Sequence, residues 1–182
     1  MNQGIPDWVV YANLVISAIT PIVTGTIGLV ILRLGTRLEQ SKQLNQALLY
    51  KRLSFFEDVA PRLNDIHCFY QAVGHWAELD PKAVIERKRH IDRAMYINRH
   101  LFGDRLVDEY RNFEKEYFEL FASAGRPARL RLDTDHVCKL IGEAFKPDWQ
   151  AALSPNRGSR AEQEKAYENL MAFLGREVMG ET

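Results

Sequence analysis

Three full cations, a histidine and a tyrosine recur on one side of the segment that opens at Pro81. At 100° per residue, Lys82, Arg89, Arg93 and His100 fall within about 40° of one another, with Tyr96 alongside and Glu86 as the acid nearest that line. Guanidinium and ammonium groups meet phosphates, and a tyrosine ring can stack on a base. The pattern therefore suits a small polyanion that carries bases. The basic stretch GRPARLRL adds Arg126, Arg129 and Arg131, with no acid before Asp133. Three plainer uses of these cations stand beside that one. They can solvate a helix face, pair with Asp108, Glu109 or Glu116 of the following helix, or rest on anionic lipid headgroups.

Other chemistry is scarce. The chain has no glycine-rich phosphate loop, no nucleophile elbow and no zinc pair at a recognised spacing. His67-Cys68 and His136-x-Cys138 each offer two ligands, whereas zinc takes three or four. Asp133-x-Asp135 reads as a helix cap, and Glu109, Glu114, Glu116 and Glu119 read as a solvated face. No catalysis, cofactor or metal is expected. Lys and Arg (24) balance Asp and Glu (24), unlike the strongly basic balance of a duplex-binding protein, so duplex nucleic acid is not an expected partner. The 46% apolar content excludes a disordered acidic tail and suits one compact domain within 182 residues. Two cysteines, Cys68 and Cys138, are too few for a disulfide scaffold and fit a reducing compartment.

The helical period dominates, and an all-α chain is expected: an N-terminal transmembrane helix and stalk, then a helical-bundle domain. From Trp8 to Leu32 no residue is charged. As a helix that run is about 37 Å long, enough to cross a hydrocarbon core of about 30 Å. It lacks the basic start of a signal peptide. Arg33, Arg37, Lys42, Lys51 and Arg52 follow it, against one acid, Glu39. Because basic flanks stay on the cytoplasmic side, the expectation is a single-pass protein of a bacterial inner membrane. Residues 1–7 would lie outside, 8–33 within the bilayer, 34–60 in a stalk and 61–182 in a cytosolic domain. Pro21, Gly25 and Gly28 predict a kink in the span. Thr20, Thr24 and Gly28 line one face, where small residues let two spans approach.

Beyond the span, Leu34, Leu38, Leu44, Leu48 and Leu53 mark the stalk, with an interruption near Gly35 and a break at Pro61. Residues 62–78 predict an amphipathic helix with Leu63, Ile66, Tyr70, Val73 and Trp76 on one face. Asp80-Pro81 starts a helix to about Phe102, with Val84, Ile91, Met95 and Phe102 inward. Asp104 would cap a helix over 105–124 that turns Val107, Tyr110, Phe113, Tyr117, Leu120 and Phe121 inward. A further helix is expected over 133–145. Ser159 and Glu162 form a capping box ahead of a last helix carrying Tyr167, Leu170, Met171 and Leu174.

The stretch Lys51–Phe102 (KRLSFFEDVAPRLNDIHCFYQAVGHWAELDP…IDRAMYINRHLF) and the layout of the chain resemble a family of bacterial antiphage membrane proteins. These are the type III CRISPR ancillary effectors that join one membrane-anchoring segment to an all-helical cytosolic domain binding cyclic tetra-adenylate. The resemblance implies a homo-oligomer, a tetramer, whose cytosolic domains bind the cyclic oligonucleotide while the spans disturb the lipid bilayer. It supplies no individual ligand residue; those named above come from the helix-face count. Two other functions stand beside it: a membrane-anchored scaffold or regulatory subunit docking a partner protein without a nucleotide, and a membrane enzyme of unrecognised type.

Overall fold

A computed structural model describes residues 7–120, 128–132, 135, 138–139, 142 and 145–180. The chain is all-α. Its principal helices are α1 (Asp7–Gln71), α2 (Pro81–Asn98), α3 (Asp104–Tyr117) and α4 (Arg160–Met179). Short 3-10 turns lie at Trp76–Glu78, Arg99–Leu101 and Pro147–Ala152. Two compact units divide it, Met1–Ala47 and Leu48–Thr182.

In the first unit, α1 is long and apolar enough to cross a membrane, and none of its most apolar stretch is buried. Ile22, Ile27, Leu29, Val30, Ile31 and Leu32 are all more than half exposed, far more apolar surface than a soluble domain leaves open. The threonine hydroxyls turn back on their own helix. Thr24 donates to the Thr20 carbonyl, and Thr26 donates to the Ile22 carbonyl at 2.9 Å. Such back-bonding lets a polar side chain sit in an apolar medium without an outside partner. The helix runs through Pro21, Gly35 and Pro61, where a break was expected at the last two.

In the second unit, α1 contributes Phe55, Val59, Leu63, Ile66 and Tyr70, three or four residues apart, to the core. Phe55 and Val59, expected on the stalk, are therefore buried in the domain. α1 stops at Gln71 because Ala72 takes φ +56° and the Val73 amide bonds back to the Cys68 carbonyl at 3.1 Å. That geometry closes a helix, usually on glycine. An alanine there hides the stop, so Val73 is exposed and Trp76 lies on a separate turn rather than on the predicted face.

α2 begins where its residues require. The Asp80 carboxylate accepts from the Ala83 amide at 2.7 Å, and Pro81 fills the first helical position. Val84, Ile91 and Met95 are buried as expected, and Phe102 is buried just after the Arg99–Leu101 turn. At α3 the cap is Gly103, and Asp104 is the acid of the first turn. The helix ends at Tyr117, earlier than expected, because Phe118–Glu119 (β1) pairs antiparallel with Arg129–Leu130 (β2), Phe118 opposite Leu130 and Glu119 opposite Arg129. Leu120 is exposed, and Leu106 takes the inward position. Phe121 and the loop to Pro127 lie outside the described residues, as does most of the helix expected over 133–145.

α4 starts at Arg160 with Ser159 as N-cap, but the Ser159 side chain makes no capping hydrogen bond, so the capping box is not formed. Leu170, Phe173 and Leu174 of α4 pack on α3, and Tyr117 ties three helices together. Its ring stacks on Phe113 at 4.2 Å and meets the Tyr70 edge at 4.7 Å. Its hydroxyl donates to the Gln163 carbonyl at 3.0 Å and lies 2.7 Å from His67 Nδ1, while Tyr70 donates to the Tyr117 carbonyl.

Candidate ligand site on the second and third helices

The face of α2 opposite its buried residues is cationic. Lys82, Arg89, Arg93 and Tyr96 are exposed along it, and exposed His100 follows on the 3-10 turn. Lys82 is engaged: its Nζ donates to Asp148 Oδ2 at 2.7 Å. That bond raises the lysine pKa and lowers the aspartate's. Arg89 and Arg93 have no hydrogen-bond or ion-pair partner among the described residues. Of the acids considered as partners for the stripe, Asp108 pairs with Arg111 and Glu109 with Arg105, each within α3.

The other predicted residues lie elsewhere. His100 lines a groove of about 470 Å³ with Tyr50, Lys51, Asp58 and Ile97. Arg129 sits on β2, half-buried, opposite Glu119. Arg131 belongs to the frame of the fold. Its amide donates to the Tyr117 carbonyl at 3.0 Å, its carbonyl accepts from the Gly158 amide at 3.1 Å, and its Nε is buried without a partner among the described residues. The stretch read as an open basic loop is thus, from Ala128 on, part of a pinned ribbon. Arg126 lies outside the described residues.

Tyr96 does more than decorate the stripe. It lines a cleft of about 310 Å³ between α2 and α3, with Arg99, Arg111, Val107 and Leu120 around it. The floor holds a charged cluster that the sequence reading missed. Lys88, 4% exposed, donates to Asp92 Oδ2 at 2.8 Å and to Glu114 Oε1 at 2.6 Å. The Tyr110 hydroxyl donates to Asp92 Oδ1 at 2.6 Å. Glu114 was expected on a solvated face; its side chain is instead only 15% exposed. Burial pushes its pKa up, opposed by the bond from Lys88 and reinforced by Asp92. Burial, with Asp92 and Glu114 nearby, also pushes the Tyr110 phenol up, so it remains a donor. One cation against two carboxylates leaves the floor formally one charge negative.

A signal for this cluster was present. Lys88 lies on the line of Val84, Ile91 and Met95, and a lysine inside an apolar stripe must be paired. Its acid at i+4, Asp92, was also visible; Glu114 on another helix was not. Among the described residues no group of three His, Cys, Asp or Glu side chains could hold a metal ion. The arrangement offers phosphate-binding cations, an exposed ring and a half-open cleft. No protein-family model, curated protein or solved structure matches the chain.

Proposed function

We propose that the chain is a membrane-anchored antiphage effector whose helical domain, on the cytoplasmic side of a bacterial inner membrane, binds a cyclic oligoadenylate. The carrying observation is the pair of exposed guanidinium groups of Arg89 and Arg93, without partners among the described residues, beside the exposed Tyr96 ring. A protein that needed these cations for its own fold would pair them, as it pairs Arg52, Arg62 and Arg87. Left free next to an aromatic face, they suit phosphates joined to bases. Cyclic tetra-adenylate is the ligand the resemblance implies, and a homotetramer would present four copies of the stripe to its four phosphates. The ligand acts on the bilayer by binding one arrangement of chains better than another, with α1 as the element that carries the change. Arg33, Arg37 and Lys42, just past the apolar run, support the cytoplasmic placement.

Titration calorimetry of the full chain in detergent micelles with cyclic tetra-adenylate tests the proposal. A charged hydrogen bond contributes about 1.5–3 kcal/mol, so reversing both Arg89 and Arg93 to Glu should weaken binding at least about 100-fold with helicity unchanged. Absence of binding by the parent chain would reject the ligand. A loss of only a few-fold in the double variant would reject the stripe.

A further inference from the structure

The cleft between α2 and α3 divides its chemistry by depth. Lys88, Met95 and Tyr110 are buried at the floor, while Tyr96, Arg99 and Arg111 are exposed at the rim. On the floor, Asp92 already accepts from Lys88 at both oxygens and from Tyr110 at one, and Glu114 Oε1 accepts from Lys88. Glu114 Oε2 accepts from no donor among the described residues. The Glu114 side chain is 15% exposed and lies against Asp92, and an accepting oxygen left over in a cluster with an excess negative charge is best completed by a hydrogen-bond donor from outside. The rim asks for the reverse: Arg99 has no partner among the described residues and Arg111 has only the loose 3.8 Å pair with Asp108, so an anion can lie between two guanidinium groups beside a flat ring.

A ligand that meets both demands carries an N–H donor at one end, a planar ring in the middle and a phosphate at the other. At about 310 Å³ the space lies at the bottom of the range for small-molecule sites, room for one nucleoside rather than for a ring of four. We propose that this cleft seats one amino-bearing nucleobase per chain, stacked on Tyr96, with its exocyclic amine on Glu114 and its phosphate between Arg99 and Arg111. The inference deepens the receptor reading above and rests on it for the form in which the nucleotide arrives. It adds base selection, which the cationic stripe alone cannot provide.

The test uses the full chain in detergent micelles, adenosine monophosphate and purine riboside monophosphate as probes, and saturation-transfer NMR as the readout. The two differ only in the exocyclic amine, which the second lacks. Adenosine monophosphate should bind at least about tenfold more tightly, the value of one satisfied against one unsatisfied buried hydrogen bond. Tyr96→Ala should abolish that binding; Tyr96 is 77% exposed, so the fold survives the change. Glu114→Gln, which replaces the charged acceptor with a neutral amide, should narrow the preference. Equal affinities in the parent chain, no binding of adenosine monophosphate at millimolar concentration, or binding indifferent to Tyr96→Ala would overturn the cleft assignment. Cyclic tetra-adenylate titrated in parallel separates the two readings. Binding of it that ignores Glu114→Gln sinks the cleft alone, whereas binding that also ignores Tyr96→Ala removes the ring from the stripe as well. Selective binding of adenosine monophosphate without any of the cyclic ligand sinks the cyclic-ligand reading alone.

Discussion

Lys88→Met is the sharpest perturbation of the domain's interior. Methionine retains most of the unbranched stem and removes the charge, so Asp92 and Glu114 lose their shared cation, and Phe118 the ammonium 5.6 Å from its ring, while an apolar chain still fills the buried position. Removing one partner of a buried ion pair costs about 3–5 kcal/mol. Two features put this variant at the lower end. Asp92 is 31% exposed and keeps the Tyr110 hydroxyl. Glu114 can also escape by taking a proton, since burial has already raised its pKa above the ordinary 4.5. A loss of about 3 kcal/mol at neutral pH is expected, or roughly 10 °C in Tm for a domain of this size. The pH dependence follows from the sign of that shift. A carboxyl whose folded pKa is raised contributes most below its unfolded value and progressively less as pH rises through the folded one. Without Lys88 the folded value climbs further, so the deficit should shrink on acidification from neutral pH toward about 5. Adding Glu114→Gln should return at least about 1 kcal/mol, as expected for two groups in direct contact. Thermal denaturation of the micelle-bound chain by circular dichroism measures all three. A loss below about 1 kcal/mol, or a deficit that deepens on acidification, would refute the reasoning.

Two further outcomes are expected. His67 stacks on Tyr167 at 4.1 Å and bonds to Tyr117, and burial lowers its pKa below 6.5. The unfolded chain therefore takes its proton first, and stability should fall as pH drops through about 6.5. His67→Asn should flatten that component, and equal pH slopes in the two proteins would contradict the burial of the ring. Gly158→Ala should cost about 1–3 kcal/mol, because the new methyl group would lie 2.8 Å from the Glu116 carbonyl oxygen and against the Gln163 amide. Gly175→Ala in α4, with nothing within 4 Å, is the control and should stabilise by about 0.5–1 kcal/mol; a loss there, or none at Gly158, would contradict the packing.

Much of the architecture was legible because local chemistry forces it. The uncharged run from Trp8 to Leu32 favours a long apolar helix, which the structure shows, and Asp80-Pro81 starts α2 through a side-chain bond only three residues away. Val84, Ile91 and Met95 of α2 and Leu170 and Leu174 of α4 follow from spacing, whereas Tyr167 and Met171 are only half-buried and buried Phe173 was not expected. The errors fall where the deciding contact is distant or where the usual residue is missing. The end of α1 rests on Ala72 in a conformation that glycine normally marks. The end of α3 rests on the Arg129–Leu130 strand, which must return across the chain to pair with Phe118–Glu119. Pro61 leaves α1 unbroken because losing one amide donor matters less than burying Val59, Leu63 and Ile66 on one face.

By itself, then, the order of residues determined the helical class, the long apolar N-terminal helix and the exposed row Lys82, Arg89, Arg93 and Tyr96, since each depends on neighbours within a turn or two. Only the tertiary structure decided which of those groups are engaged: it spent Lys82 on Asp148 and left Arg89 and Arg93 without partners among the described residues. It also drew Glu114 from a supposed surface to Lys88 at 2.6 Å and opened the cleft over that pair. The reason is that pairing and burial are properties of contacts between helices, and those contacts join residues that the helical period cannot relate.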